Sequence, residues 1–517
     1  MGKSMHKKHL LGRGMVLLTI MVLFLAAGSV VWAEPQGTVT FATSWPTFNT
    51  KGGDPATNVA SPPYTNQACF DSLVSVSVDR EWTPALAKSY KISPDWKYID
   101  FNLRTDVKFQ NGDPVTAEDV KFSLAIYMDR KYKFQFGPMW RRTVGEVEIV
   151  KPDLVRIHMK AADWGFIGRM WWGAGVMPKN YREKVGDEEF SKHPVGAGPF
   201  RFVDFKQDQW ALYEAVPNHY RQTPKVKTVK LLYVPENSTR LAMLKNGEAD
   251  MAPLHSAHVK EVQDDPNMKL FWVKYVSGSN LYFCDMVDPK TPSPFFDVRV
   301  RKAVSLAIDR ETICKKLLFG AAEVWGDVLP PVTLGYDPSL KPDPYDPEKA
   351  KALLKEAGYP NGFETTMNVS TTNTTGEALA ASLEDIGIKV KLERFEAGAF
   401  YGAVFARKFR GLLPYVGWYD PERQAPAELS DFYLKGTPHA FYTTDEIDTA
   451  LHKGMYATSD KELTEWGRKL SKMIRENYVT VFLWANHSPY GLGPRIKNWQ
   501  PSLGCLPAIA FETIELK

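Results

Sequence analysis

The chain has 517 residues, with 64 Lys and Arg against 60 Asp and Glu, and only four cysteines. That length is room for two or more domains with large cores, and so few cysteines exclude a disulfide-built scaffold. The small positive excess sits in the first 33 residues, where Lys3, Lys7, Lys8 and Arg13 face no acid, so the rest of the chain carries 60 charges of each sign. Such a balance gives no electrostatic reason to expect nucleic acid or a membrane surface as partner.

Residues 1–33 read as an export address: a basic start, an apolar run over residues 16–27, and Val31-Trp32-Ala33 as a small-x-small cleavage site ahead of Glu34. No cysteine lies near that point, so a lipid anchor is not supported, and no later stretch is long and apolar enough to cross a bilayer. The expected location is the periplasm.

Residues 37–43 (GTVTFAT) alternate as a strand, and Ser44, Trp45 and Phe48 follow in a loop at its end. Ligands collect beyond the carboxyl ends of strands in open α/β sheets, so these three are candidate contacts. A short helix is expected over residues 66–74 and a strand over 98–103. Asn111-Gly112 marks a turn, and Thr116 with Asp119 a weak capping box ahead of a helix. Trp140, Trp164, Trp171 and Trp172 crowd residues 134–179. Core packing explains each one alone, but a Trp-rich region of a binder also suits a ligand platform, and Trp140 is taken as the candidate from it. The segment HPVGAGPF (193–200) is a turn and no phosphate loop, because Pro199 blocks a following helix. Residues 225–250 give a strand, a helix started by Asn237 or Ser238, and a turn.

Two helices with clear punctuation lie within residues 294–362. Asp297 caps the first, and Asp346 with Pro347 at N1 starts the second, which Gly358 and Pro360 end. Residues 375–386 form a helix ended by Gly387, and a half-buried strand follows. The chain closes with a long helix over 463–476 and a strand over 478–484. Cys69, Cys284 and Cys314 sit in apolar patterns and are expected as buried free thiols.

Chemistry-bearing motifs are missing. No G-x-S-x-G, H-E-x-x-H or P-loop occurs. The His255/His258 pair has only Glu261 near it and lacks a metal-site ligand set. The expectation is a protein that is no enzyme and needs no cofactor or metal. A secreted hydrolase would need a nucleophile or paired acids that the pattern does not offer.

The order of words is more specific than any one of them. WKYIDFNLRTDVKFQNGDPVTAEDVKFSL (96–124), HPVGAGPF, PFFDVRVRKAVSLAIDRE and YDPEKAKALLKEAGYPNGF together resemble the extracytoplasmic solute-binding proteins of peptide and nickel ABC importers, solute-binding family 5. The resemblance covers essentially the whole chain after the address. It implies an α/β, two-lobed periplasmic-binding-protein fold with discontinuous lobes joined by crossing strands, plus an extra subdomain in the N-terminal half. The implied division is lobe one at 34–66, 196–280 and 486–517, the subdomain at 67–195, and lobe two at 281–485. The quoted motifs are implied to be scaffold. The contacts are implied at the crossing segments, through Ser279, Asn280 and Tyr282 on the outward one and His487 on the return, with Trp484 just before it. Residues 415–421 (YVGWYDP) resemble the family's G-W-x-x-DY-x-DP cleft motif in shortened form and add Trp418, Tyr419 and Asp420. In peptide binders of the family the first Asp of that motif pairs with the ligand's ammonium group. Here only Asp420 remains, so the resemblance implies a ligand held by aromatic faces and neutral hydrogen bonds. The implied role is a monomeric subunit that captures a short peptide or similar small polar solute by hinge closure and presents it to permease subunits in the inner membrane. An oligosaccharide or opine ligand, or a sensor or chaperone role, remains the alternative.

Overall fold

A computed structural model describes residues 34–44, 53–57, 63–77, 81–132, 134, 136–163, 165–331, 333–418, 425–457, 459–501 and 509–517. Among these residues, eleven strands form the main sheet. In chain order they are β1 (Gln36–Thr43), β2 (Phe200–Lys206), β3 (Trp210–Ala215), β4 (Val226–Tyr233), β5 (Met251–Pro253), β6 (Lys269–Phe283), β7 (Ala322–Glu323), β8 (Phe363–Ser370), β9 (Ile388–Phe395), β10 (Leu412–Trp418) and β11 (Val481–Leu492). Their spatial order is β9-β8-β10-β6-β11-β5-β1-β4-β3-β2, with β7 also on β11. Parallel pairs lie toward both ends, β1 with β4 and β5, and β8 with β9 and β10. Between them run β6 and β11, antiparallel and much longer than the rest.

These two strands belong to both lobes. The first half of β6 pairs with the second half of β11, which lies on β5. The second half of β6 pairs with β10 and with the first half of β11, which carries β7 on its far edge. Sequence patterning reads a strand and a separate crossing segment at 478–490; the structure makes them one strand. Two cores flank the crossing. One runs from Val39 and Phe41 into Trp140, Ile157 and Phe166, so the subdomain shares its interior with the first lobe. Within the subdomain a four-stranded antiparallel sheet (Ala87–Ile92, Tyr98–Leu103, Leu154–Met159, Val144–Lys151) backs the helix Ala117–Met128. The other core gathers Leu281, Phe283, Val300, Val304, Leu354, Leu379 and Val481.

Local signals hold where they are local. Thr116 Oγ1 accepts from the Asp119 amide, and Asp119 Oδ2 accepts from the Thr116 amide at 2.9 Å, a complete capping box. Asp297 and Asp346 cap their helices, accepting from Arg299 N at 2.8 Å and Lys349 N at 2.9 Å. Gly358 takes φ +92°, the left-handed stop that a side chain would resist.

Two expectations need correction. The helix expected over 66–74 is Pro63–Cys69. It stops because the Cys69 carbonyl accepts instead from Gly198 N at 2.8 Å and from Gln110 Nε2 at 3.2 Å. A Cβ on Gly196 or Gly198 would overlap that carbonyl, which accounts for the glycines of HPVGAGPF. The helix expected to start on an Asn237 or Ser238 cap is Asn237–Asn246, with Glu236 at the cap position and no side-chain cap bond. The Asn237 side-chain oxygen Oδ1 accepts instead from Arg240 Nη2.

Cys69, Cys284 and Cys314 are buried free thiols, and burial pushes the Cys69 and Cys314 thiols up to about 12. Cys505 lies outside the described residues.

Candidate functional site

The crossing of β6 and β11 brings polar side chains to the junction between the lobes. Asn486 Nδ2 donates to Ser277 Oγ and Ser279 Oγ, both at 3.0 Å, and its Oδ1 accepts from Ser279 at 3.4 Å. Ser277 is buried, whereas Ser279 and Asn486 are half-buried. Every group in this knot is neutral and has hydrogen-bonding capacity left for a solute. His487 follows directly. Its Nδ1 accepts from the Tyr275 backbone N–H at 3.1 Å, and its Nε2 lies 3.6 Å from Glu323 Oε2 on β7.

The other expected contacts are placed differently from one another. Ser44 follows β1 directly and is half-buried. Asn280, Tyr282 and Trp484 lie on the crossing strands but are buried there, at 7%, 3% and 3% exposure. Trp484 packs into the second core and Tyr282 against Phe441 and Tyr415. Trp140 is fully buried, its ring 5.2 Å from Phe166 and 5.3 Å from Phe134, in the subdomain core. Packing rather than a ligand platform is what the structure gives this ring, and sequence offered no means of separating the two. Trp45, Phe48, Tyr419 and Asp420 lie outside the described residues; Trp418 ends β10, with only its backbone described.

Beside β10 stands an aromatic ledge that sequence reasoning missed. The His439 ring stacks between Tyr415 at 5.4 Å and Phe432 at 5.3 Å, and its Nε2 meets Tyr415 Oη at 3.3 Å. Burial pushes its pKa down to about 4, so the ring is neutral at pH 7. Tyr401 and Phe405, on the uncharged helix Ala397–Phe405, expose 42% and 56% of their surface next to it. No local pattern announces His439, because its partners come from β10 and two separate helices.

The His255/His258 pair is engaged otherwise: His258 Nδ1 meets Glu261 at 3.3 Å, and Lys245 donates to Glu261 at 2.7 Å. Among the described residues no three His, Cys, Asp or Glu side chains gather as a metal site would need, and no helix is long and apolar enough to span a membrane.

Two lobes that share two long strands, with neutral polar and aromatic side chains at the junction, define a solute-binding protein of the hinged, cleft-binding class. The sequence profile of the bacterial extracellular solute-binding proteins, family 5 (middle region), matches residues 81–436, and the chain belongs to that family. It is 28% identical over 477 residues to heme-binding protein A of Haemophilus influenzae, covering 85% of each chain. It is 30% identical over 410 residues to the glutathione-binding protein GsiB of Pectobacterium atrosepticum, covering 76% of this chain and 78% of that one. Among solved structures, the periplasmic binding protein DppA of Helicobacter pylori in complex with the peptide STSA superposes with a TM-score of 0.77 at 25% identity, over 93% of this chain and 98% of that one. Proteins of this family are the substrate-binding subunits of ABC importers and are periplasmic or extracellular.

Proposed function

We propose that this chain, exported through residues 1–33, captures a short peptide or a similar small polar solute in the cleft between its lobes and passes it, as a monomer, to permease subunits in the inner membrane. The lobes on this reading are 34–66, 196–280 and 486–517 for the first, with the subdomain at 67–195, and 281–485 for the second. The observation that carries the reading is the pair of shared strands with the Asn486–Ser277–Ser279 knot between them. A solute seated there touches both lobes only when they close, so its differential affinity shifts the population toward the closed form. If about 1% of the empty protein is closed, a preference of roughly 10⁴ reverses the ratio.

Ser44, Trp45, Phe48, Ser279, Trp418, Tyr419, Asp420 and His487 are the proposed contacts, joined by Asn486. Asn280, Tyr282 and Trp484 support them from beneath. The named binding properties of the relatives, glutathione for GsiB and a tetrapeptide for DppA, favour a peptide-like ligand, and the neutral knot suits amide groups. Mass spectrometry of small molecules released from freshly purified protein, followed by calorimetry with glutathione, di- and tetrapeptides, an opine and an oligosaccharide, tests this. A peptide-like mass that rebinds at micromolar affinity or better is the expected result. Binding of the opine or oligosaccharide alone replaces the ligand class, and turnover of any of them removes the binding-protein reading.

A further inference from the structure

The register of the two crossing strands breaks at one place. Val273 faces Ser488 and Ser277 faces Asn486, so residues 274–276 stand opposite His487 alone. On one side of this break the ribbon is paired to β5, on the other to β7 and β10. The break is therefore where the lobes can turn against each other, and the groups that fill it decide how freely they do so.

Tyr275 at the centre of the bulge has φ +57°, the left-handed region that a bulky L-residue avoids. What holds it is His487. Nδ1 accepts from the Tyr275 backbone N–H at 3.1 Å, which assigns the ring proton of the neutral form to Nε2, 3.6 Å from Glu323 Oε2. The His487 backbone N–H donates to Ala321 O at 2.8 Å, tying the same residue to the β7 strap. The Tyr275 ring packs on His487 at 5.1 Å and on Trp325 at 5.4 Å, and its hydroxyl reaches Glu323 Oε2 at 3.4 Å. Trp272 covers the imidazole at 6.4 Å, and the His487 side chain is 7% exposed.

We propose that His487 is a proton-sensitive hinge pin: its neutral ring holds the bulge and thereby the lobe arrangement seen here, and its protonation releases that arrangement. The chemistry is one proton gained at Nδ1. An imidazolium has no lone pair there, so it cannot accept from Tyr275 N–H, and two donors then face each other inside the bulge. The left-handed Tyr275 loses its anchor while Glu323 attracts the new charge, so the break relaxes. The charged and titratable groups that face the ring are Glu323 from β7 and Lys274 and Tyr275 from β6, with Tyr336 beyond Tyr275. Burial lowers the His487 pKa, Lys274 lowers it further, and Glu323 opposes both. The sign follows: the arrangement seen here is favoured while the ring is neutral and is lost as pH falls through a value below the ordinary histidine pKa of about 6.5. The inference rests on the shared-strand geometry and not on the identity of the solute.

Small-angle scattering on ligand-free protein between pH 8 and pH 4.5, with circular dichroism at each pH to verify that the fold persists, tests it. The radius of gyration should change in a single one-proton step at a midpoint below about 6.5. His487→Gln should abolish the step. Glu323→Gln, at a largely exposed side chain, should leave the fold intact and move the midpoint to lower pH. A radius constant across the range, a step that survives His487→Gln, or a midpoint unmoved by Glu323→Gln overturns the proposal; the last arm decides even if His487→Gln fails to fold.

Discussion

Replacing Arg310 with methionine is expected to cost about 3–5 kcal/mol of stability, through the loss of a buried set of charge-assisted hydrogen bonds. Arg310 is 4% exposed and, among the described residues, meets no carboxylate directly. Its Nε donates to Phe482 O at 2.7 Å, its Nη1 to Ser305 O at 2.9 Å and Ile308 O at 3.3 Å, and its Nη2 to Ser305 Oγ at 2.8 Å. Ser305 in turn donates to Asp343 at 2.6 Å, so the nearest acid is reached through a hydroxyl. Burial lowers the guanidinium to about 10, which still leaves it charged at pH 7. One side chain thus holds the turn after the helix Val298–Leu306 onto the start of β11, and methionine removes these charge-assisted bonds, worth about 1.5–3 kcal/mol each before relaxation, although Ile308 O and Ser305 O keep backbone amide donors at 3.0 and 3.5 Å. Lysine should not rescue, because an ammonium cannot span the fork. Urea unfolding followed by tryptophan fluorescence measures the loss; a change under 1 kcal/mol would show that water replaces the guanidinium freely.

The second large effect lies in the subdomain. Arg182 is 2% exposed, and Nη1 and Nη2 donate to the two oxygens of fully buried Asp54 at 3.0 and 2.7 Å. Asp187 takes a further bond at 3.1 Å, and the guanidinium lies 4.6 Å from the Phe190 ring centroid. Arg182→Met leaves the Asp54 carboxylate buried with, among the described residues, the Ala56 amide at 2.9 Å as its remaining side-chain partner, and about 3–5 kcal/mol should be lost. The double change Asp54→Leu with Arg182→Met should recover part of that loss, because it removes both charges together. Asp54 stands just beyond the proposed contact loop, so Arg182→Met should also weaken solute binding, whereas Asp54→Leu with Arg182→Met separates lost charge from lost packing. Equal stability of the single and double variants would contradict the ion-pair account.

What the sequence made legible was local chemistry and word order. Thr116, Asp297 and Asp346 could be read as caps because a cap and the amide it satisfies are two or three residues apart. The family was legible from residues 96–124 and 294–362, and the match over 81–436 bears it out. What those words hold together was not legible: Arg301 and Arg310 sit inside the best-marked motif, yet their carbonyl partners at Asn477, Tyr478 and Phe482 lie over 170 residues away. Asn486 went unremarked as a contact because its two serine partners are also distant in sequence. Trp140 shows the limit of composition. An aromatic-rich stretch offers the same residues to a core and to a cleft, and only packing tells them apart. The left-handed Tyr275 was invisible for a related reason, since a bulge is set by the register of two strands and not by the bulged residue.

The central claim is that this chain binds its solute by closing two lobes about the β6–β11 ribbon. Small-angle scattering on protein that calorimetry shows to be saturated with the solute recovered from purification tests it most directly. The account predicts a smaller radius of gyration than that of the stripped protein under the same conditions. An identical radius at confirmed saturation would contradict it.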